Sequence, residues 1–174
     1  EADDVIGTLA KQGVEAGYQV LISTGDKDMA QLVNDDVRLI NTMNNSLLKP
    51  DSVHEKFGVN AEQIIDYLAL MGDKVDNIPG VPGVGPKTAA KWLGLYHTMD
   101  GVIENADKIG GKIGEKLRAA LPQLPLSYEL ATIDCAVKLE FVPDELQMME
   151  QDKDQLLSLY ETLGFNSWLQ ELQG

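Results

Sequence analysis

Residues 71–89 read MGDKVDNIPGVPGVGPKTA, and this run of glycine and proline decides the architecture of the second half of the chain. Regular secondary structure has no room in it, because Gly80, Gly83 and Gly85 favour tight turns and positive φ angles. Pro86 suits the first turn of a following helix, where its missing N–H leaves no hydrogen bond unmade. The stretch therefore predicts a hairpin-like turn that joins two helices.

Helices are predicted on both sides of this turn. Ala61–Met71 has apolar residues at helical spacing, and Pro86–Leu93 follows the turn directly. We expect Trp92 and Tyr96 to lie in the core, since aromatic side chains dominate the cores of small domains. The later segments with a helical pattern are residues 101–105, 112–121, 127–132 and 152–163, and a short strand is predicted at 137–141.

The end of the turn has the features of a phosphate-binding site. A helix N-terminus presents free N–H groups to an anion, and Lys87 and Thr88 lie in the first turn of the predicted helix. Such a grip would hold a DNA backbone without reading its bases. The alternative is a purely structural turn between helices. The predicted DNA-binding residues are Gly80, Gly83, Gly85, Lys87 and Thr88.

The first third of the chain follows a different pattern. A helix is predicted at Asp3–Ala16 and a short helix at Met29–Val33. The strand candidates, which are short and apolar, are Gln19–Ser23, Val37–Asn41 and a weaker one at Ser46–Leu48. This alternation of helices and strands predicts an α/β core with a parallel sheet. Two or three strands make a poor sheet, so we expect the sheet to be incomplete.

Acidic side chains cluster in three short motifs. They are a Glu-Ala-Asp-Asp run, an Asp-x-Asp pair and an Asp-x-x-Asp pair, which comprise Glu1, Asp3, Asp4, Asp26, Asp28, Asp73 and Asp76. Residues two apart in an extended chain point the same way, and residues three apart on a helix share a face. Ligand sites in α/β sheets also lie beyond the carboxyl ends of strands. Each motif alone fits helix capping or a helix dipole equally well.

Taken together, the three motifs predict a site for hard divalent cations. Carboxylate oxygens suit Mg²⁺ or Mn²⁺. The single cysteine, Cys135, and the isolated histidines His54 and His97 provide no zinc-binding set. Two such ions about 4 Å apart can activate water and stabilise the leaving oxygen when a phosphodiester is cleaved.

The composition fits a globular protein with a strongly acidic surface. Hydrophobic residues make up 44% of the 174 residues, and the net charge is −14. A DNA-binding protein usually has a basic patch, so the acidity is either a solvated surface or a cluster whose sign bound cations reverse. The lone cysteine predicts a reducing, cytoplasmic location, and no apolar run predicts a membrane span. Because the chain lacks an initiator Met, we expect a longer parent protein.

The three motifs, in this order, resemble those of the 5′ nuclease family, which includes flap endonucleases, phage 5′ exonucleases and the 5′ nuclease domain of bacterial DNA polymerase I. The resemblance is carried by Glu1–Asp4, Ser23–Asp28 and Met71–Gly85, and it continues to Leu130–Ile133. It implies a PIN- or resolvase-like α/β nuclease core at 1–58, an all-α helix–hairpin–helix (SAM-like) subdomain at 59–135 and a C-terminal return segment with a closing helix at 136–174.

The resemblance also implies the roles of individual residues. The family positions that bind Mg²⁺ or Mn²⁺ match Glu1, Asp3, Asp4, Asp26, Asp28, Asp73 and Asp76, and all of these except Glu1 are expected to be catalytic. Related enzymes hold a potassium ion at the hairpin through backbone carbonyls, at positions that match Leu70, Met71, Pro79, Val81 and Val84. The family's first two strands, each ending in an Asp, and its basic helical arch do not precede Glu1. Two metal ligands are therefore expected to be missing.

The implied function is that of a structure-specific 5′-3′ exonuclease or flap endonuclease, which hydrolyses phosphodiesters with two metal ions. Its expected substrates are DNA with a 5′ flap or nick and RNA primers paired with DNA. It would serve DNA polymerase I in replication and repair, at the bacterial nucleoid, with a polymerase domain in the same chain. The alternatives are a non-catalytic DNA-binding module, a catalytically incomplete fragment and an acidic cation-binding protein unrelated to DNA.

Overall fold

The computed structural model describes residues 1–173 and begins with an α/β arrangement. Its elements are α1 (Ala2–Glu15), β1 (Val20–Ser23), β2 (Val37–Asn41), β3 (Ser46–Leu48) and α2 (Pro50–Phe57), with a 3₁₀ helix at Asp28–Leu32. Small buried residues on α1 let this helix pack closely on β1. A Cβ at Gly13, for example, would lie 3.1 Å from Cγ2 of Val20. The helix stops before Gly17, which adopts a φ of +88°.

The three strands form a mixed sheet in the order β1-β2-β3. β1 and β2 are parallel, with Val20 opposite Val37, whereas β2 and β3 are antiparallel, with Leu39 opposite Leu48. The short turn between β2 and β3 allows a hairpin but not the crossover that a parallel neighbour needs. The prediction of an α/β core is confirmed, but the expectation of a purely parallel sheet is wrong for β3.

The next part of the chain is helical. It contains a 3₁₀ turn at Ala61–Gln63, α3 (Ile64–Met71), α4 (Pro86–Tyr96), α5 (Met99–Glu104), 3₁₀ turns at Ala106–Lys108 and Leu121–Gln123, α6 (Gly111–Ala120) and α7 (Leu124–Ala131). α3 is the central helix and contacts α4, α5 and α7. Ile64 and Leu70 of α3 are fully buried beside Leu93, Leu117 and Leu124. The predicted helical subdomain is therefore present, and Trp92 lies in its core.

The hairpin between α3 and α4 is held by backbone contacts. Asp73 and Ile78 exchange two backbone hydrogen bonds, of 2.9 and 2.7 Å, and the Val81 amide donates to the Leu70 carbonyl at 2.9 Å. Gly72 and Gly80 lie backbone against backbone, so a Cβ at Gly80 would be 2.3 Å from the Gly72 nitrogen. Side chains cannot fit at this crossing, which explains the two glycines.

The described residues from Asp144 onward form a second compact unit. A 3₁₀ turn at Pro143–Glu145 spans its beginning, and the unit contains α8 (Lys153–Leu163) and α9 (Asn166–Gln173). α8 begins where the Asp152 carboxylate accepts a hydrogen bond from the Gln155 amide at 3.0 Å. Tyr160 packs against Phe165 and Trp168, so an aromatic cluster joins the two helices. The predicted domain limits at 58, 135 and 174 stay predictions.

The strand predicted at 137–141 is wrong. This segment runs beside α1, where the Val137 amide donates to the Thr8 hydroxyl at 3.1 Å and that hydroxyl donates to the Asp134 carbonyl at 3.2 Å. Its backbone partner is thus a helix side chain and not a strand edge. No helix within residues 1–173 is long and apolar enough to cross a membrane.

Candidate active site and nucleic-acid interface

A cleft in residues 1–143 gathers acidic side chains from all three motifs. The carboxylates that line it are Glu1, Asp3, Asp4, Asp26, Asp28 and Asp76. They come from the start of α1, the loop after β1 and the hairpin loop after α3. Ile78 and the C-terminal end of α7, residues 130–133, complete the lining. The fold thus brings together six of the seven acidic residues selected from the sequence.

The loop after β1 is shaped by its own polar side chains. The Thr24 amide continues the sheet by donating to the Ile40 carbonyl at 2.9 Å. The Asp26 amide then donates to the Thr24 hydroxyl at 3.0 Å, and the Asp28 amide donates to the Asp26 carboxylate at 2.9 Å. Asp26 therefore forms an Asx-turn just before the 3₁₀ helix, and Asp28 does not cap that helix. The Asp28 side chain is left to face the cleft.

Asp4 and Asp73 have further partners that fix their position. The Asp4 carboxylate accepts a hydrogen bond from the Asp134 amide at 2.9 Å, which ties α1 to the segment after α7. Asp73 lies at the edge of the cleft, where its carboxylate forms an ion pair with Lys27 and accepts a hydrogen bond from the Val75 amide at 2.7 Å. The Lys27–Asp73 pair therefore links the loop after β1 to the hairpin.

The electrostatics of the cleft are those of crowded carboxylates. Burial and the neighbouring Asp26 raise the pKa of Asp28 to about 6. Burial is the main cause that raises the pKa of Asp3, and the nearby charge of Asp26 is the second. The pKa of Asp73 is lowered instead, because Lys27 donates a hydrogen bond to its carboxylate. Negative charge in the cleft is thus poorly compensated, except at its edge.

The donor set of the cleft fits hard divalent cations. All its charged ligands are carboxylate oxygens, which Mg²⁺ and Mn²⁺ prefer. One oxygen of Asp28, Oδ1, is buried and has no hydrogen-bond partner among residues 1–173. The carboxylates face a common space, but no three histidine, cysteine, aspartate or glutamate side chains of the described chain are close enough to hold one ion together.

The predicted DNA-binding residues fall into two groups. Gly80 is buried, and its amide donates to the Ser127 hydroxyl at 3.2 Å while its carbonyl accepts from the Gln123 side chain at 2.7 Å. These bonds occupy the backbone of Gly80, so it supports the turn instead of facing a ligand. The residues that solvent reaches are Gly83, Gly85, Lys87 and Thr88, at the end of the turn and the start of α4.

The carbonyls selected for potassium surround the same turn. The Leu70 carbonyl accepts from the Val81 amide at 2.9 Å, and the Val81 carbonyl accepts from the Val84 amide at 3.0 Å. Each carbonyl oxygen has two lone pairs, so these two retain one for a cation. Met71 and Pro79 lie on the two backbone segments that cross at Gly72 and Gly80. Potassium binding stays a prediction.

Sequence reasoning missed three contributors to this region. Lys27 lies between Asp26 and Asp28 in sequence. A lysine inside an acidic motif could have indicated that it pairs with a carboxylate. The end of α7 lines the cleft, whereas the resemblance extended to Leu130–Ile133 without predicting a place in the site for them. Ser127 and Gln123 hold Gly80 from about forty residues away, and no local pattern could reveal such a contact.

Comparison with known proteins places this chain among nucleases. A family model for the 5′-3′ exonuclease N-terminal resolvase-like domain matches residues 1–58, and one for the 5′-3′ exonuclease C-terminal SAM fold matches residues 59–154. DNA polymerase I of Pseudomonas aeruginosa is 51% identical over 180 residues, which cover 99% of this chain and 20% of that protein. A 5′-3′ exonuclease of Aquifex aeolicus is 39% identical over 172 residues, 99% of this chain and 58% of that protein.

A solved structure with a similar fold carries both nucleic acid and metal. It is the bacteriophage T5 D15 flap endonuclease, in a pseudo-enzyme–product complex with DNA and metal ions, with a TM-score of 0.67 and 26% identity. The similarity covers 78% of this chain and 50% of that chain. This chain thus spans about a fifth of the DNA polymerase I from Pseudomonas aeruginosa and about half of the T5 protein.

Proposed function

The chain belongs to the 5′-3′ exonuclease family, and from this premise we propose that it supplies most of the metal-binding carboxylates and the DNA-binding subdomain of a structure-specific 5′-3′ exonuclease or flap endonuclease. The observation that carries the proposal is the cleft in which three separate acidic motifs meet beside the hairpin. The parent protein would be a bacterial DNA polymerase I, working in the cytoplasm at the nucleoid, with the polymerase domain in the same chain. Its substrates would be 5′-flapped or nicked DNA and RNA primers paired with DNA.

Different residues of the chain would bind the metal ions and the DNA during phosphodiester hydrolysis. Two divalent ions, Mg²⁺ or Mn²⁺, would supply an activated water and stabilise the leaving 3′ oxygen, so that the product carries a 5′ phosphate. The proposed metal ligands and catalytic carboxylates are those of the three motifs: Asp3, Asp4, Asp26, Asp28, Asp73 and Asp76, with Glu1 as a further metal ligand. The hairpin and the start of α4 would hold the DNA backbone through Gly83, Gly85, Lys87 and Thr88.

Other features support smaller parts of this proposal. Asp28, with its buried oxygen that lacks a partner, would gain one when a cation is bound. The Lys27–Asp73 pair would keep the hairpin loop next to the loop after β1, so that Asp76 stays near Asp28. Potassium would bind at the carbonyls of Leu70, Met71, Pro79, Val81 and Val84. Each of these roles is local to the cleft or the hairpin.

A second function has one specific observation in its favour. No three potential ligands within residues 1–173 are close enough to hold a metal ion together. A chain that binds DNA through the hairpin without cutting it would need no such cluster. We therefore keep a non-catalytic DNA-binding module, or a catalytically incomplete fragment, as the alternative for this chain by itself.

Cleavage of a 5′-flapped duplex by the protein that contains this chain tests the proposal. We expect cleavage that requires Mg²⁺ or Mn²⁺ and that falls roughly a hundredfold in Asp76→Asn. The matched control is Asp107→Asn, an exposed residue outside the cleft, which should cut normally. Cleavage that persists in a chelator would contradict the metal mechanism. Salt-dependent DNA binding without any cleavage would select the binding module.

A further inference from the structure

One part of the helical subdomain, from the hairpin to the middle of α7, carries positive charge although the subdomain and the whole chain are acidic. Residues 77–128 contain six lysine and arginine residues against four aspartate and glutamate residues, a net charge of +2, while the whole chain has −14. Four of these lysine side chains are exposed and form no ion pair or hydrogen bond with any described residue. They are two lysine pairs, Lys87 with Lys91 on α4 and Lys112 with Lys116 on α6.

The α6 pair lies beside the hairpin although it is distant in sequence. A Cβ at Gly83 would lie 3.1 Å from the Lys116 Nζ and 3.9 Å from the Ile113 Cδ1. The Lys116 ammonium group therefore lies over the exposed part of the turn, just before Gly85 at the start of α4. Lys112 is one helical turn earlier on the same face of α6, since it is four residues before Lys116.

The start of α6 is similar in sequence to the start of α4, although Gly111 has a φ of +71° that Pro86 cannot adopt. The run Val84-Gly85-Pro86-Lys87 before α4 has its counterpart 25 residues later in Ile109-Gly110-Gly111-Lys112. In both places an extended glycine precedes the helix, with ψ of −176° at Gly85 and 175° at Gly110. A second lysine follows four residues after the first in each helix, and the matching positions Ala89 and Gly114 are both buried.

The second loop is open to a large ligand. A Cβ at Gly110 or at Gly111 would meet nothing within 4 Å, which is also true of Gly85 in the first loop. Backbone amides in an open glycine loop can approach an anion closely. Exposed ammonium groups without carboxylate partners then supply the charge that an anion needs.

The aromatic residues of this region point to a duplex backbone instead of a single strand. Proteins that bind single strands stack bases on exposed aromatic side chains. Trp92 of α4 is buried, Tyr96 is half-buried, and α6 contains no aromatic residue. α4 and α6 present positive charge and accessible backbone amides, which suit the phosphates of duplex DNA.

We propose that Lys112 and Lys116, with the Gly110–Gly111 loop, form a second phosphate-binding site that holds the backbone of duplex DNA together with the hairpin. The inference rests on the proposed function and deepens it. The hairpin at Gly83 and Gly85 contacts one stretch of backbone, and α6 contacts another next to it. Both contacts are independent of base sequence.

The salt dependence of duplex binding tests this second site. The dissociation constant for a duplex is measured between about 50 and 200 mM salt for wild type, Lys112→Gln/Lys116→Gln and Lys87→Gln, all in the protein that contains this chain. Each lost phosphate contact lowers the slope of log K against log salt by about 0.9. We expect a loss of about two contacts in the double variant and about one in Lys87→Gln, with the losses adding in the triple variant.

A matched control separates a local site from a general effect of net charge. Lys138→Gln/Lys153→Gln removes the same charge from two exposed lysines outside α4 and α6 and should leave the slope unchanged. Lys112→Arg/Lys116→Arg should restore the slope, because arginine also binds phosphate. Circular dichroism of each variant shows whether the fold is kept. If the double variant destabilises α6, the single variants Lys112→Gln and Lys116→Gln carry the test, each with an expected loss of about one contact.

The outcomes distinguish the second site from the proposed function. An unchanged slope in Lys112→Gln/Lys116→Gln, with the expected loss in Lys87→Gln, overturns the second site and leaves the hairpin grip intact. Unchanged slopes in all variants overturn both. An equal loss in the Lys138/Lys153 control, or a larger loss for single-stranded than for duplex DNA, also overturns the proposal.

Discussion

The acidic cleft and the two lysine pairs carry opposite charge, so the cleft attracts cations and the lysine pairs attract anions. In the cleft, six carboxylates from three parts of the chain face a common space, and Asp28 has a buried oxygen without a hydrogen-bond partner. On α4 and α6, four ammonium groups lack carboxylate partners within the described residues, although the chain has 28 acidic residues. The net charge of −14 hides this division, because a total does not say where charge lies.

Each of the two regions has an excess of one charge that its own residues do not compensate. The cleft needs cations to relieve repulsion between its carboxylates, and the lysine pairs need anions. A metal-dependent enzyme that acts on a polyanion would compensate both charges. Its metal ions would neutralise the carboxylates, and the phosphates of its substrate would neutralise the lysines. The hairpin contacts both regions, because its loop contributes Asp76 to the cleft and its Gly83 lies beside Lys116.

The largest effect is expected for Gly80→Ala, because the hairpin joins the two regions. The new Cβ would lie 2.3 Å from the Gly72 nitrogen, and Gly80 has a φ of +55°. Backbone strain and overpacking together should lower the free energy of unfolding by roughly 3–5 kcal/mol. Urea unfolding measures this loss, and binding of both Mg²⁺ and duplex DNA should weaken in the same variant.

The matched control for this change is Gly94→Ala in the middle of α4. A Cβ there meets nothing within 4 Å, so alanine should raise the free energy of unfolding by about 0.5–1 kcal/mol through its helix propensity. A Gly80→Ala protein as stable as wild type would show that the hairpin is not a rigid link between the regions.

The next effect concerns Lys27→Gln, which makes the cleft more acidic. It removes the partner of Asp73 and separates the loop after β1 from the hairpin. Because Lys27 is 42% exposed and Asp73 is 14% exposed, we expect a loss of about 1 kcal/mol in the free energy of unfolding. Mg²⁺ should stabilise the variant less than the wild type, because the pair no longer holds Asp76 near Asp28.

Lys74→Gln is the control for Lys27→Gln, because this exposed neighbour has no side-chain partner in the described part of the chain. It should change neither stability nor the response to Mg²⁺. Equal unfolding curves for Lys27→Gln and Lys74→Gln would mean that the ion pair does not hold the two loops together.

A smaller effect of opposite sign is expected for Asp28→Asn, which makes the cleft less acidic. The amide keeps the shape of the side chain and removes a partly buried charge next to Asp26. Without divalent ions the variant should be more stable than wild type by about 0.5–1 kcal/mol. Thermal unfolding with and without Mg²⁺ checks this, and the stabilisation by Mg²⁺ should be smaller in the variant.

The control for Asp28→Asn is Asp35→Asn, at an exposed position outside the cleft. It should leave the response to Mg²⁺ unchanged. If Asp28→Asn keeps the full stabilisation by Mg²⁺, the cation does not bind where the three motifs meet.

The smallest effect is expected for Lys87→Ala at the hairpin end of the lysine pairs. Duplex binding should weaken by a similar factor for every sequence, and the salt slope should fall by about one phosphate contact. Lys153→Ala, outside the helical subdomain, is its control. A loss that depends on base sequence would mean that Lys87 reads bases and that the backbone grip is wrong.

Local sequence patterns predicted most helices and strands of the fold. Strands Val37–Asn41 and Ser46–Leu48 lie where predicted, and α3 and α4 flank the hairpin as expected. α2 was missed although Pro50 at its start and Gly58 at its end, with a φ of +74°, are typical helix limits. The predicted strand near Val137 was wrong, because alternation of apolar residues requires a neighbouring strand that is not there.

The order of the motifs along the chain was enough to predict the family, which the family models confirm. Three acidic motifs, followed by a glycine-rich turn and Lys87, predict oxygen ligands for hard cations and a phosphate-binding turn. Such patterns are readable because side-chain chemistry and turn preferences act over a few residues.

Which of these residues come into contact depends on tertiary packing. In the folded chain Asp73 forms an ion pair with Lys27, and Gly80 forms hydrogen bonds with Ser127 and Gln123. Lys116 lies beside Gly83. These contacts join residues 33 to 47 positions apart, and their geometry depends on how α3, α6 and α7 pack. Packing is a property of the whole core, so no local pattern contains it.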